Sequence, residues 1–455
     1  MLLFKGRRVV LPGGEVRPAS IRVSGGKIID IVNGYIPGEQ ETDYEKIIDA
    51  GDYLLMPGVV DSHVHVNEPG RTPWEGYDTA TKAGAAGGIT TIVDMPLNSL
   101  PSTTSSVAFK TKIEAAQGKL NVDVGFWGGV VPGNQSELSQ MLAQGVCGFK
   151  CFMIDSGVDE FPYVTEADIR GALEKLRGTD GRLLFHAEVD LPVPGTEEND
   201  PKKYKTFLDS RPDSWEVEAI DRVCKLCLEY GVPCHIVHLS AAGALPLVQK
   251  AKEAGARLTI ETTHHYLTLA AEDIPDGATE YKCCPPIRSK ENQRRLWEAV
   301  RSGLIDMVVS DHSPCTADLK LLDKGDFMKA WGGIASVQFG LPLFWTGCKQ
   351  YDLNLSHVIT CLCEAPAKLA GLQKRKGQIA VGMDADFVIW NPDDYTTIDT
   401  NSIYHKNKVT PFLNKKYNGK VLKTFVRGSL VYENGSFAEK PQGEALLLKH
   451  LKMKL

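Results

Sequence analysis

Residues 58–70 read GVVDSHVHVNEPG, a strand-length apolar run that ends in two histidines, His63 and His65, two positions apart. Successive residues of a strand point to opposite faces, so this spacing sends both imidazoles to one side. Working outward, seven more short apolar runs follow it: TTIVDMP from 90, VDVGFWGGV from 122, GVCGFKCFM from 145, RLLFHAE from 182, PCHIVHLS from 233, RLTIETT from 257 and DMVVSDH from 306. Amphipathic stretches such as TEADIRGALEKLRG, residues 165–178, lie between most of them. Eight strands alternating with helices over 56–376 predict a (β/α)8 TIM-type barrel. A doubly wound open sheet is the alternative, because alternation by itself does not close a barrel.

The flanks read differently. LLFKG, RRVVL, SIRVS and KIIDIV in residues 1–55, and GQIAVGMDADFVIW with GKVLKTFVRGSLVYENG in residues 377–440, are short strand patterns broken by glycine turns. The two flanks are expected to pair into one small, discontinuous β-sandwich domain, with 441–455 as an ordinary charged C-terminal tail. The closing Met453-Lys454-Leu455 approaches a peroxisomal S-K-L signal but departs from it at the first position.

Composition narrows the function classes. With 43% hydrophobic and 24% charged residues in 455, the chain is an ordinary globular protein. A net charge of -6 offers no electrostatic footprint for nucleic acid or an anionic membrane, which points to a small-molecule partner. No run approaches the ~20 apolar residues of a membrane span, and the start lacks the layout of a signal peptide. Eleven scattered cysteines, an odd number, speak against a disulfide framework and for a reducing, intracellular setting in the cytoplasm or an organelle matrix. Cys224 and Cys227 form a C-x-x-C, but on a helical pattern with no second ligand pair, so they read as core, as do Cys361 and Cys363.

Other strand runs also end in groups able to hold a metal: Lys150, His186, His238 and Asp311. A barrel gathers its strand ends at one mouth, where neutral imidazoles and a carboxylate suit divalent ions. His235 reads as a core histidine, and the pair His264-His265 as structural or substrate-lining, with metal ligation as the alternative. An ammonium inside an apolar strand is costly to desolvate, so Lys150 is driven toward its neutral amine, which can capture CO₂ as a carbamate. On the residues alone, a lysine snorkelling to the strand mouth is the simpler reading.

HVHVNEPGRTPWEGYDTATKAGAAGGITTIVDMPLNSLPST, GFKCFMIDSGVDEFP, ETTHHYLTL, KCCPPIR and DHSPC together resemble the allantoinase family, cyclic-amide hydrolases of the amidohydrolase superfamily. The resemblance spans nearly the whole chain. It implies a binuclear centre with His63, His65 and Asp311 on one divalent ion, His186 and His238 on the other, and carboxylated Lys150 bridging them. Zinc is the first choice, although these ligands suit Mn, Co or Fe as well. Asp311 takes the role of general base and then general acid. The implied activity is hydrolysis of the ring amide of (S)-allantoin to allantoate in purine (urate) catabolism, by a homo-oligomer, tetramer or dimer.

Relatives that open dihydroorotate typically carry an arginine two residues after the H-x-H, a position held here by Asn67. Asn67 and Asn98 are therefore placed near the substrate, with turn roles as the alternative, and Cys284 and Trp331 are expected to line the ring pocket. The rival functions are another cyclic amidase (dihydropyrimidinase, hydantoinase or dihydroorotase) and a silent scaffold that keeps the fold without the chemistry. All six ligand positions are intact, which speaks against the scaffold.

Overall fold

The computed structural model of the protein describes residues 1–36, 44–193 and 199–449. Met453-Lys454-Leu455 lies outside the described residues. In chain order the strands of the first flank are β1 (Leu2–Val10), β2 (Val16–Ser24), β3 (Lys27–Asn33), β4 (Lys46–Asp49) and β5 (Leu54–Pro57). The central strands are β6 (Val59–Val64), β7 (Ile89–Asp94), β8 (Asp123–Phe126), β9 (Gly128–Gly129), β10 (Phe149–Phe152), β11 (Leu183–His186), β12 (Cys234–Ile236), β13 (Leu258–Thr263) and β14 (Met307–Val309). The last are β15 (Phe387–Thr397), β16 (Lys416–Val426), β17 (Ser429–Glu433) and β18 (Ser436–Phe437).

The central strands are parallel neighbours in chain order, β6-β7-β8 and β9 through β14. Two seams close them into a ring. At one, Val64 bridges His312 in parallel and the His65 N–H donates to the His312 carbonyl at 2.8 Å. At the other, the Cys147 N–H donates to Phe126 O at 2.8 Å and the Gly128 N–H to Gly148 O at 2.9 Å. Closure excludes the open-sheet alternative. Helices cover the outside; the one over Glu166–Leu176 starts where Thr165 and Asp168 form a capping box, which satisfies two N–H groups that the first turn leaves without carbonyls.

Strands from both flanks form one nine-stranded sheet, joined where β5 runs antiparallel to β15 from Pro57–Phe387 to Leu54–Trp390. Phe4, Phe387 and Phe425 pack at its core with ring centroids 4.6 and 5.0 Å from Phe4. Barrel and sheet are fastened by a buried cation: Lys376 Nζ donates to Asp123 on β8 at 2.5 Å and to Asp386 at 2.6 Å, and lies 2.9 Å from Asp384.

Two stretches behave differently from the sequence expectation. Residues 398–415, between β15 and β16, return to the barrel mouth, where the Lys406 N–H donates to the buried Glu75 carboxylate at 3.1 Å. The residues after 440 do not form an ordinary tail in their described part. The Val124 N–H donates to Glu444 O at 2.9 Å, the Leu446 N–H to Val124 O at 2.7 Å and the Leu448 N–H to Gly145 O at 2.9 Å. This segment fills the wall between β8 and β10, where backbone groups of the short β8 lack a strand partner, and it buries Leu446.

Candidate active site at the barrel mouth

The ends of β6, β10, β11, β12 and β14 bring His63, His65, Lys150, His186, His238 and Asp311 into one buried cluster. His63 Nε2 lies 3.0 Å from Asp311 Oδ1, and His65 Nε2 3.6 Å from the same oxygen. Potential ligand atoms of these three residues all fall within 4.8 Å of one another. Lys150 Nζ is 3.1 Å from His63 Nε2, and His186 Nδ1 is 3.0 Å from His238 Nε2. The rings of His63 and His238 are 5.4 Å apart, which joins the two groups, and His186 stacks on Phe152 at 4.4 Å. His238 (φ 38°) and Asp311 (φ 43°) adopt left-handed backbone conformations. Such strain at non-glycine residues concentrates where the chain must aim a functional side chain.

Hydrogen bonds behind the cluster orient its lone pairs. The Leu97 carbonyl can only accept, so His65 Nδ1 at 3.0 Å carries the proton and His65 Nε2 presents a lone pair to the Asp311 oxygen. His63 Nδ1 donates to Glu261 Oε1 at 2.5 Å, and His186 Nε2 donates to Glu188 Oε2 at 2.7 Å. Glu261 also accepts from His235 Nε2 at 3.0 Å and from the His238 backbone N–H at 3.2 Å, so one carboxylate supports both halves of the cluster. Burial favours the protonated form of Glu261, but His63 and His235 hold it at about 2. Arg211 secures Glu188 with a 2.5 Å contact.

The electrostatics call for positive charge between these acceptors. Burial and Lys150 push His63 toward its neutral form, yet the Asp311 and Glu261 carboxylates outweigh them and raise its pKa. Burial lowers His65 to about 4 and Lys150 to about 8. Burial also works against ionised Asp311, but His63 and His65 keep it well below the usual carboxylate range. Asp311 is thus an anion with the Nε2 atoms of His63 and His65 as its nearest imidazole neighbours, and a cation bound among the three would take the place of the imidazole protons.

A cavity of about 530 Å³ opens above the cluster, lined among others by His65, Asn98, Lys150, Cys284, Asp311 and Trp331. Asn67 does not reach it. Its backbone is left-handed (φ 64°) and its side chain is fully buried, accepting from Asn98 Nδ2 at 3.3 Å and donating to Pro314 O at 3.4 Å. The expectation that Asn67 lies beside the substrate is therefore corrected: it braces Asn98 from behind. Arg71 holds the Asn98 carbonyl at 2.7 Å from the opposite side. His235 is a buried core histidine that also serves Glu261, while His264 and His265 are buried without lining the cavity.

Sequence reasoning missed Glu261 and Glu188. Both lie inside apolar runs that it had marked as strands, and a carboxylate there is as costly to bury as the lysine that did draw attention.

A closed parallel barrel with imidazoles, an amine and a carboxylate converging at its carboxyl mouth is the architecture of a barrel hydrolase. The model of the amidohydrolase family matches residues 54–431. The chain is 56% identical over 370 residues to the mitochondrial allantoinase of Aquarana catesbeiana, covering 81% of this chain and 76% of that one. It is 46% identical to the allantoinase of Saccharomyces cerevisiae over 454 residues, covering 96% and 97% of the two chains. Among solved structures, the L-hydantoinase (dihydropyrimidinase) of Arthrobacter aurescens superposes with a TM-score of 0.90 at 30% identity, over 98% of this chain and 99% of that one. The chain belongs to the amidohydrolase family and, within it, to the allantoinases.

Proposed function

We propose that the protein hydrolyses the hydantoin ring amide of (S)-allantoin to allantoate, using two divalent cations, zinc foremost, at the barrel mouth. The observation that carries the cation is the clustering of the His63 and His65 ring nitrogens with the Asp311 carboxylate, with bonds from behind fixing the imidazoles of His63, His65 and His186. His63, His65 and Asp311 would hold one ion and His186 and His238 the other. Lys150, lowered to about 8 by burial, is suited to carry a carbamate, which would add an anionic ligand for the two ions. When bound, the pair of cations supplies an activated water and stabilises negative charge developing on the scissile carbonyl.

The chain's own residues do the rest. Asp311, oriented toward His63 and His65, accepts a proton as the attacking oxygen bonds to the carbonyl carbon, then returns it to the ring nitrogen as the C–N bond breaks. Atoms balance as one water consumed and one ring opened. Asn98, fixed between Asn67 and Arg71, presents its amide to the substrate, while Trp331 and Cys284 wall the ring pocket.

The test is a side-by-side assay of allantoin, dihydroorotate, dihydrouracil and hydantoin, with metal analysis of the same sample. Allantoin should be opened far faster than the others. A comparable kcat/KM for hydantoin or dihydrouracil would make the protein a general cyclic amidase. Protein that contains no metal and opens no ring would be a scaffold. We further propose a homo-oligomer, dimer or tetramer, in an intracellular compartment, which light scattering and fractionation test. No described helix is long and apolar enough to cross a membrane.

A further inference from the structure

A second cavity, of about 800 Å³, lies at the opposite end of the barrel. Its walls come from residues that precede or begin β11 to β14 and from the helical stretch over 356–373, so it opens on the floor and shares no lining residue with the cavity at the mouth. That volume falls in the ~300–1,000 Å³ range of small-molecule sites. The charge of its lining is one-sided: Arg182, Arg257, Arg301 and Lys368 face it, against the single carboxylate of Asp306. Asp306 is already neutralised, because its Oδ2 lies 2.7 Å from Lys252 Nζ and accepts the Ile260 N–H at 2.7 Å.

None of the four cations forms an ion pair among the described residues. Arg257 donates to the Gly231 carbonyl at 3.3 Å and Arg301 to the Tyr351 carbonyl. Arg182 donates to the carbonyls of Lys368, Leu369 and Asp180, and its buried Nε has no partner. Arg257, Arg301 and Lys368 are exposed at the rim, whereas the part-buried guanidinium of Arg182, with its spare N–H, is suited to a bidentate acid group.

We propose that this basal cavity binds a small dianion carrying phosphate or paired carboxylate groups, held by Arg182, Arg257, Arg301 and Lys368. The ligand is distinct from the neutral ring substrate at the mouth.

Calorimetric titration of the metal-loaded protein with inorganic phosphate, and separately with succinate, tests it. Arg182 also anchors the carbonyls at the end of the helix over Ala365–Leu369, so Arg182→Gln risks the fold. The exposed pair R257Q/R301Q avoids that. R170Q/R222Q removes two arginines from the helices over 166–176 and 213–230 and controls for net charge. The wild type should bind one anion saturably. R257Q/R301Q should weaken binding by about a hundredfold or more, the loss of two charged hydrogen bonds, and keep normal ring-opening activity. R170Q/R222Q should bind as the wild type does. Phosphate binding alone assigns a phosphate ester, succinate alone a dicarboxylate, and both a shape-tolerant dianion site. No saturable binding of either probe, binding unchanged in R257Q/R301Q, or equal loss in R170Q/R222Q overturns the proposal.

Discussion

Replacing Glu261 by Gln removes a charge, almost no volume, and the one acceptor shared by both halves of the site. Glu261 takes N–H groups from His63 at 2.5 Å, His235 at 3.0 Å and the His238 backbone at 3.2 Å. An amide offers one oxygen for three donors on two sides. If that oxygen keeps His63 and His238, the new NH₂ faces the His235 N–H; if it keeps His235, the other two lose their acceptor. Either way at least one charge-assisted hydrogen bond is lost, worth about 1.5–3 kcal/mol. The loss falls on the orientation of metal-binding lone pairs, so metal affinity should drop about 10- to 100-fold. Competition with a chromophoric chelator measures that affinity directly, circular dichroism verifies folding, and kcat at saturating metal isolates any remaining effect on the reaction. A folded Glu261→Gln protein that holds metal as tightly as the wild type would refute the supporting role of Glu261 and the assignment of His63 as a ligand through Nε2.

The remaining predictions concern the lysines and the buried clasp. Lys150→Ala should lose bound metal and activity, with partial rescue by acetate or propionate, while Lys150→Arg should do no better because a guanidinium cannot form the carbamate; mass spectrometry of active wild type showing an unmodified amine would contradict this. Asp311→Asn should cut kcat by about 10² to 10⁴, the worth of acid-base catalysis, and near-normal turnover at full metal occupancy would move the proton to another residue. Lys376→Met leaves Asp123, Asp384 and Asp386 without their shared cation and should cost about 3–5 kcal/mol in denaturant titration, an effect absent if the clasp contributes nothing. Burial opposes ionised Asp384, but Lys376, Lys27 and Arg375 hold it at about 2, below the ordinary ~3.9. That stabilisation is complete above about pH 4 and should disappear as pH falls toward 2, as thermal melts across that range will record.

The barrel was legible because each strand run is short, apolar and followed by a helical period, a local signal that tertiary context reinforces. His63 and His65 stood out for the same reason, since a spacing of two has one meaning on a strand. Asn67 illustrates the limit. Its position two residues past His65 put it at the mouth, but its left-handed backbone and its bond to Asn98 turn the side chain inward, and neither can be read from neighbours in sequence. Glu261 went unnoticed because its partner His63 is 198 residues away, whereas Glu188, two residues from His186, carried a local signal on the same strand end that was passed over. The residues at 398–415 and 443–448 carry no period because they answer to local needs of the barrel, a buried Glu75 and a gap beside β8, that only the assembled fold creates.

The joining of the two flanks bears on how the protein is made. β5 leaves the ribosome early, but its partner β15 follows only after the whole barrel has been synthesised, and Thr424 of β16 donates to the Ala85 carbonyl 339 residues earlier. At ~5–20 residues per second, the first flank waits on the order of tens of seconds with an unpaired apolar edge. Leu54, Leu55 and Met56 on that edge are fully buried once folding is complete. During translation the same residues form a template for strand addition by another nascent chain. Expression yield should therefore depend on chaperone supply and on slower synthesis at low temperature more than on the equilibrium stability of the finished molecule.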